Sequence, residues 1–112
     1  MKKILSIDGG GIRGIIPALV LAEIEKRIDK PISACFDLFA GTSTGGILSL
    51  GLTKADQFGR PEYSAADLAE IFARSLWQGF SSVGGLTDET YSDHGLEAVL
   101  KDYFKNTDLA KC

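Results

Sequence analysis

Apolar positions along the chain fall into short blocks separated by glycine-rich or polar stretches, and the spacing inside each block predicts an element. Residues 3–8 form a β-branched and aliphatic run that ends at three glycines, as a buried strand feeding a tight loop would. Beyond Gly14, Ile16, Val20, Ile24 and Ile28 recur every four residues while Glu23, Lys26 and Arg27 fall elsewhere, which predicts an amphipathic helix. Pro17 fits its first turn, where no amide donor is needed. Lys30-Pro31 stops that helix, and residues 35–40 supply a second strand, apolar on both faces as strands of parallel sheets tend to be. Residues 46–52 read as a buried helix with small residues on one side. Glycine lowers its propensity, so tight packing has to compensate.

Residues 54–63 are polar, with Gly59 and Pro61, and are expected to form a surface loop. Ser64 can cap a helix that carries Leu68, Ile71, Phe72 and Leu76 on one face, with Asp67 in its first turn. Residues 79–89 then read as a connection. Ser92 or Asp93 starts a last helix, in which Leu96, Val99, Leu100, Tyr103 and Phe104 make an i, i+3, i+4, i+7, i+8 stripe. Strand, helix, strand, helix in this order predicts an α/β fold with a parallel sheet.

Composition narrows the class. With 112 residues, 45% hydrophobic and 24% charged, the chain is expected to be globular and to hold one domain at most. The net charge of −3 arises from intermixed signs, so no basic stripe exists to neutralise a nucleic-acid backbone. Cys35 and Cys112 make no disulfide framework, and a reducing compartment is the default expectation. The apolar run after Lys2-Lys3 is too short for a signal-peptide core, and nothing later approaches the ~20 apolar residues of a membrane span. A cytoplasmic protein is expected, with room for a lipid-facing surface.

The turn after the second strand carries the chemistry. Gly41-Thr42-Ser43-Thr44-Gly45 matches G-x-S-x-G between an apolar strand and an apolar helix, the setting in which that pattern holds a serine hydroxyl at a strand end. Gly41 and Gly45 remove β-carbons that would clash as the strand doubles back, and the helix start adds partial positive charge beside a developing oxyanion. The turn after the first strand, Gly9-Gly10-Gly11-Ile12-Arg13-Gly14, also fits the G-x-G-x-x-G of a dinucleotide site. That use wants an acidic residue at the tip of the second strand, where Ala40 and Gly41 stand instead. The other use is to present backbone N–H groups to a transient negative oxygen. In a β-α-β unit both turns end on one sheet edge, so they should be neighbours.

Asp8 to Gly14, followed by Phe36-Asp37-Leu38-Phe39-Ala40 and the serine turn through Gly46, resembles the patatin-like phospholipases. The resemblance implies a three-layer α/β sandwich with a central, mainly parallel sheet, incomplete in this chain, so that residues 1–112 would be the N-terminal part of a single such domain. It implies hydrolysis of phospholipids or other lipid esters by a Ser-Asp dyad, with transient membrane-surface contact and neither cofactor nor metal. By matching position, Ser43 would be the nucleophile, Gly10 and Gly11 the oxyanion-hole amides, and Arg13 a cation beside them. The family's catalytic aspartate lies in a D-G-[GA] motif far beyond the serine. Here the only Asp-Gly is Asp8-Gly9, so the general base is expected to lie outside these residues.

Two other readings stay open: a non-catalytic lipid- or partner-binding module of the same fold, and a Ser-His-Asp esterase using His94, the one histidine. His94 and Asp93 also suit the exposed first turn of a helix, whereas a purely structural Arg13 at a helix start would oppose the macrodipole, which favours a role for it in the site. Asp37, placed inside an apolar strand, needs a hydrogen bond to a neighbouring loop. Trp77, Phe80 and Tyr91 suit either a lipid-contacting surface or the core, and aromatics near helix ends more often serve the core.

Overall fold

A computed structural model describes residues 1–82 and 101–105, with 75–82 as backbone only. Strand β1 (Ile4–Ile7) leads through a 3-10 turn (Gly11–Gly14) into helix α1 (Ile15–Ile28). A second 3-10 turn (Ile32–Ala34) precedes strand β2 (Leu38–Gly41), which feeds helix α2 (Thr44–Thr53); helix α3 (Ala65–Ser82) follows. The two strands run parallel in the register Ile4↔Leu38 to Ile7↔Gly41, so the α/β class and the β-α-β unit expected from the sequence are present.

The start of β2 is set by Asp37 and not by the apolar run, so the strand begins three residues later than expected. Its carboxylate accepts the Lys3 amide at 2.8 Å and the Lys2 ammonium at 3.2 Å, while its own amide donates to the Lys3 carbonyl at 2.8 Å. Asp37 thus clamps the mouth of the sheet from just outside it. The Lys3 amide, then the Lys2 charge, hold its carboxyl below the usual aspartate range.

Helix α1 forms where expected, but it buries a different face. Ile16, Val20, Ile24 and Ile28 are exposed, the first two by 59% and 55%, and the buried positions are Ala18 and Leu21. The reason is close packing against α3, whose own buried residues Ala65, Leu68 and Ala69 join Ala18 and Leu21 in one cluster with Ile7, Ile32, Leu48 and Leu52. Glu25 ties this pair together: one carboxylate oxygen accepts the Ile32 amide at 2.9 Å, the other the Ala65 amide at 2.8 Å. The second bond satisfies a donor at the first turn of α3.

Ser64 caps α3 as expected. Its hydroxyl accepts the Asp67 amide at 3.1 Å, and the Asp67 carboxylate accepts the Ser64 amide at 2.9 Å, a reciprocal box. The helix continues through Gly79 to Ser82, where a connection was expected. One glycine costs a helix about 1 kcal/mol, which does not end it without a further stop signal. The 54–63 segment is the expected surface loop, closed into a hairpin: Ala55 pairs with Pro61, Asp56 accepts the amides of Phe58 and Arg60, and buried Lys54 pairs with Glu62. Within 101–105, Tyr103 meets Tyr63 edge to face and accepts its hydroxyl at 2.9 Å. His94, Ser92, Asp93, Tyr91, Leu96, Val99, Leu100 and Cys112 lie outside the described residues, as do the side chains of Leu76, Trp77 and Phe80.

Candidate active site

Because β1 and β2 are parallel neighbours, the turns that leave them share one sheet edge. The ladder ends where the Thr42 amide donates to the Ile7 carbonyl at 3.3 Å. One step further the link passes to a side chain, with the Gly9 amide donating to the Thr42 hydroxyl at 3.1 Å. The sequence argument for neighbouring turns therefore matches the geometry.

Ser43 sits at the apex of the second turn with φ 52° and ψ −125°, a left-handed conformation that a side-chain-bearing residue rarely adopts. Such strain persists only where the surroundings impose it, and the strand-to-helix elbow that presents a nucleophile is a known place for it. The surroundings here are two backbone contacts. A β-carbon at Gly41 would overlap the Gly45 carbonyl, and one at Gly45 would overlap the Ile7 carbonyl, both well inside van der Waals contact. Any side chain at either position would push the strand and helix apart and open the turn.

Helix α2 (Thr44–Thr53) begins directly after the serine, two residues earlier than its apolar pattern predicts. The Gly45 amide donates to the Thr42 carbonyl at 2.9 Å, and the Gly46 and Ile47 amides donate to the Ser43 carbonyl at 2.9 and 3.2 Å. Ser43 is exposed, and among the described residues its hydroxyl has no hydrogen-bond partner. The α2 N-terminus at Ser43 contributes partial positive charge there.

The glycine turn lies against this elbow. A β-carbon at Gly9 would stand 2.7 Å from the Thr42 carbonyl oxygen and 2.9 Å from the Ser43 Cβ, so the two backbones touch with nothing between them. Gly11 takes a left-handed φ of 57° and opens the 3-10 turn. Arg13 folds back on the turn: its amide and its Nε donate to the Gly10 carbonyl at 3.1 and 3.4 Å. Gly14 is buried against Thr44, whose hydroxyl oxygen is buried with no partner among the described residues.

Of the residues picked from sequence, Ser43, Gly9, Gly10, Gly11, Arg13, Gly14, Gly41 and Gly45 therefore gather at one edge of the sheet. Sequence reasoning missed Thr42 and Thr44, although their place beside Ser43 and opposite a glycine turn was the available signal. Two hollows among the described residues, each about 310 Å³, are lined by residues such as Glu62, Tyr63 and Glu70, or Glu25, Asp29 and Pro61, none of which belongs to these two turns.

Known proteins share this pattern. The family model described as patatin-like phospholipase matches residues 5–112. The chain is 37% identical to patatin-like protein 2 of Oryza sativa subsp. indica over 129 aligned residues, covering 99% of this chain and 32% of that protein. It is 36% identical to patatin-like protein 4 of Arabidopsis thaliana, covering 95% and 30%. It is 34% identical to patatin-T5 of Solanum tuberosum, covering 96% and 30%. It thus spans about a third of the length of the curated relatives it matches. With a family model running almost from end to end and relatives above 30% identity across nearly all of it, the chain belongs to the patatin-like phospholipase family.

Proposed function

We propose that these residues form the nucleophile-bearing part of a lipid acyl hydrolase that cleaves carboxylic esters of glycerolipids. Residues 1–112 are then the N-terminal part of one patatin-like domain. The observation that supports this most is the strained, exposed Ser43 at the start of α2, in backbone contact with a glycine turn. In the reaction a carboxylate base takes the proton of the Ser43 hydroxyl as its oxygen attacks the ester carbonyl. The Gly10 and Gly11 amides receive the negative charge that develops on the carbonyl oxygen, Arg13 holds the turn that carries them, and the α2 N-terminus adds to the field. Collapse of the tetrahedral intermediate expels the alcohol, which recovers the proton, and water then attacks the acyl-enzyme to release the fatty acid.

The base is an aspartate supplied from outside these 112 residues, because no Asp-Gly other than Asp8-Gly9 occurs here. An unassisted serine hydroxyl is a weak nucleophile near neutral pH. Contact with a membrane or micelle surface is transient, as a substrate held in a lipid aggregate requires, and the protein works in the cytoplasm without a cofactor. The 112-residue chain should turn over a p-nitrophenyl ester barely or not at all; turnover that vanishes in Ser43→Ala would place the base within it. In the protein extended to the length of its relatives, a fluorophosphonate should label Ser43. A folded protein that stays unlabelled would favour a non-catalytic lipid-binding module. Loss of activity in His94→Gln would favour a Ser-His-Asp triad.

A further inference from the structure

We infer that Thr42 is a positioning residue of the hydrolytic site: its hydroxyl engages the Gly9 amide and thereby fixes the glycine turn against the nucleophile elbow. The inference rests on the proposed role of Ser43. Among the described residues, the bond from the Gly9 amide to Thr42 Oγ1, at 3.1 Å, is the one hydrogen bond that joins the two turns. It takes over where the strand ladder stops, one step past the Thr42 amide and the Ile7 carbonyl.

The surroundings leave the turn little slack. Gly9 touches the Thr42 carbonyl and Ser43 Cβ on one side, and the Gly10 carbonyl is held by two donors of Arg13 on the other. The Gly10 amide therefore lies in the peptide between two anchors, with Thr42 holding the Gly9 end. That same bond occupies the Gly9 N–H, which removes it from the donors open to a substrate and leaves the role to Gly10 and Gly11. An oxyanion donor is effective because it is already aimed when charge appears, so a turn freed at one end must be reorganised in the transition state. Ground-state binding does not involve that cost, and kcat falls while KM holds.

The test uses the full-length polypeptide, with turnover counted per site titrated by a fluorophosphonate. Thr42→Val, which keeps the shape and removes the acceptor, should lower kcat by about 10- to 100-fold with KM within about two-fold. Thr42→Ser, which keeps the acceptor, should restore most of the rate. Wild-type kcat per titrated site in Thr42→Val or Thr42→Ala, a loss confined to KM, or Thr42→Ser as slow as Thr42→Val each overturns the inference. So does a Thr42→Val and Thr42→Ala pair that no longer melts cooperatively while Thr42→Ser does, which would make the hydroxyl a folding element only. Ser43→Ala in the same series separates the two ideas, since turnover that survives it removes the role of Ser43 itself.

Discussion

Two adjacent glycines in the serine turn have unequal duties. A methyl group at Gly45 meets the Ile7 carbonyl of the sheet, which cannot yield without moving β1, whereas one at Gly46 lies 3.3 Å from the Gly41 carbonyl oxygen, tight but open to a small shift. Gly45→Ala should therefore cost about 3 kcal/mol, the upper range for overpacking. Gly46→Ala should be close to neutral, because the gain in helix propensity of about 1 kcal/mol offsets the squeeze. Urea midpoints of the two variants give the comparison, and equal losses would mean that the elbow is not held by the contact with Ile7. This asymmetry explains what could be read from the bare sequence. G-x-S-x-G names the glycines two residues either side of Ser43, and within the serine turn those are the two whose β-carbons would overlap backbone carbonyls. Thr42 escaped notice because its use depends on a partner 33 residues away, at Gly9, that only the strand register brings within reach.

The order of the elements was legible, but their edges and faces were less so. The apolar neighbours of Asp37 place it inside the second strand; its bonds to the Lys3 amide and Lys2 instead end the approach and begin the ladder. The period of helix α1 marks it as a helix, yet period reports which positions are apolar and not which face finds a neighbour. Four-residue spacing drifts around a helix of 3.6 residues per turn, and the face that meets α3 is lined by small Ala18 and by Leu21, which a search for bulky side chains underweights. The clamp at Asp37 carries a pH dependence whose sign is fixed. Its folded carboxyl is held below the ordinary value, as is that of Asp56 by the Arg60 and Phe58 amides in the hairpin. The stability each contributes is therefore present above the unfolded aspartate pKa and is lost as pH falls through the folded one. The urea midpoint should fall between about pH 5 and pH 2, and Asp37→Asn should lower it at neutral pH while flattening part of that slope. A slope unchanged by the substitution would show that the clamp is not formed by the ionised carboxylate.

At the scale of the molecule, the described residues leave much apolar surface in water. Along α1 the exposed Ile16, Leu19, Val20, Ile24 and Ile28 form a continuous band, and Ile4 and Leu38 stand more than half exposed where the two strands begin. The sheet has two strands, so each strand also presents a row of unpaired backbone groups among the described residues, and so small a sheet contributes little stability by itself. Aliphatic side chains standing singly on a surface mean little, but five along one helix form a shared apolar face of the kind that marks a contact surface. No described helix is long and apolar enough to cross a membrane, so the band is not part of a span. The 112-residue chain should therefore bind the dye ANS and self-associate at micromolar concentration, with both effects falling in salt-independent fashion when Val20 and Ile24 are replaced by Lys, since hydrophobic attraction is not screened by ions as charge pairing is. Helical content should survive the double substitution, because neither side chain is among the buried residues. A monodisperse, dye-silent chain would mean that the α1 band is covered within these 112 residues, and association unchanged by the two lysines would place the contact elsewhere, with the open strand edges as the next surface to block.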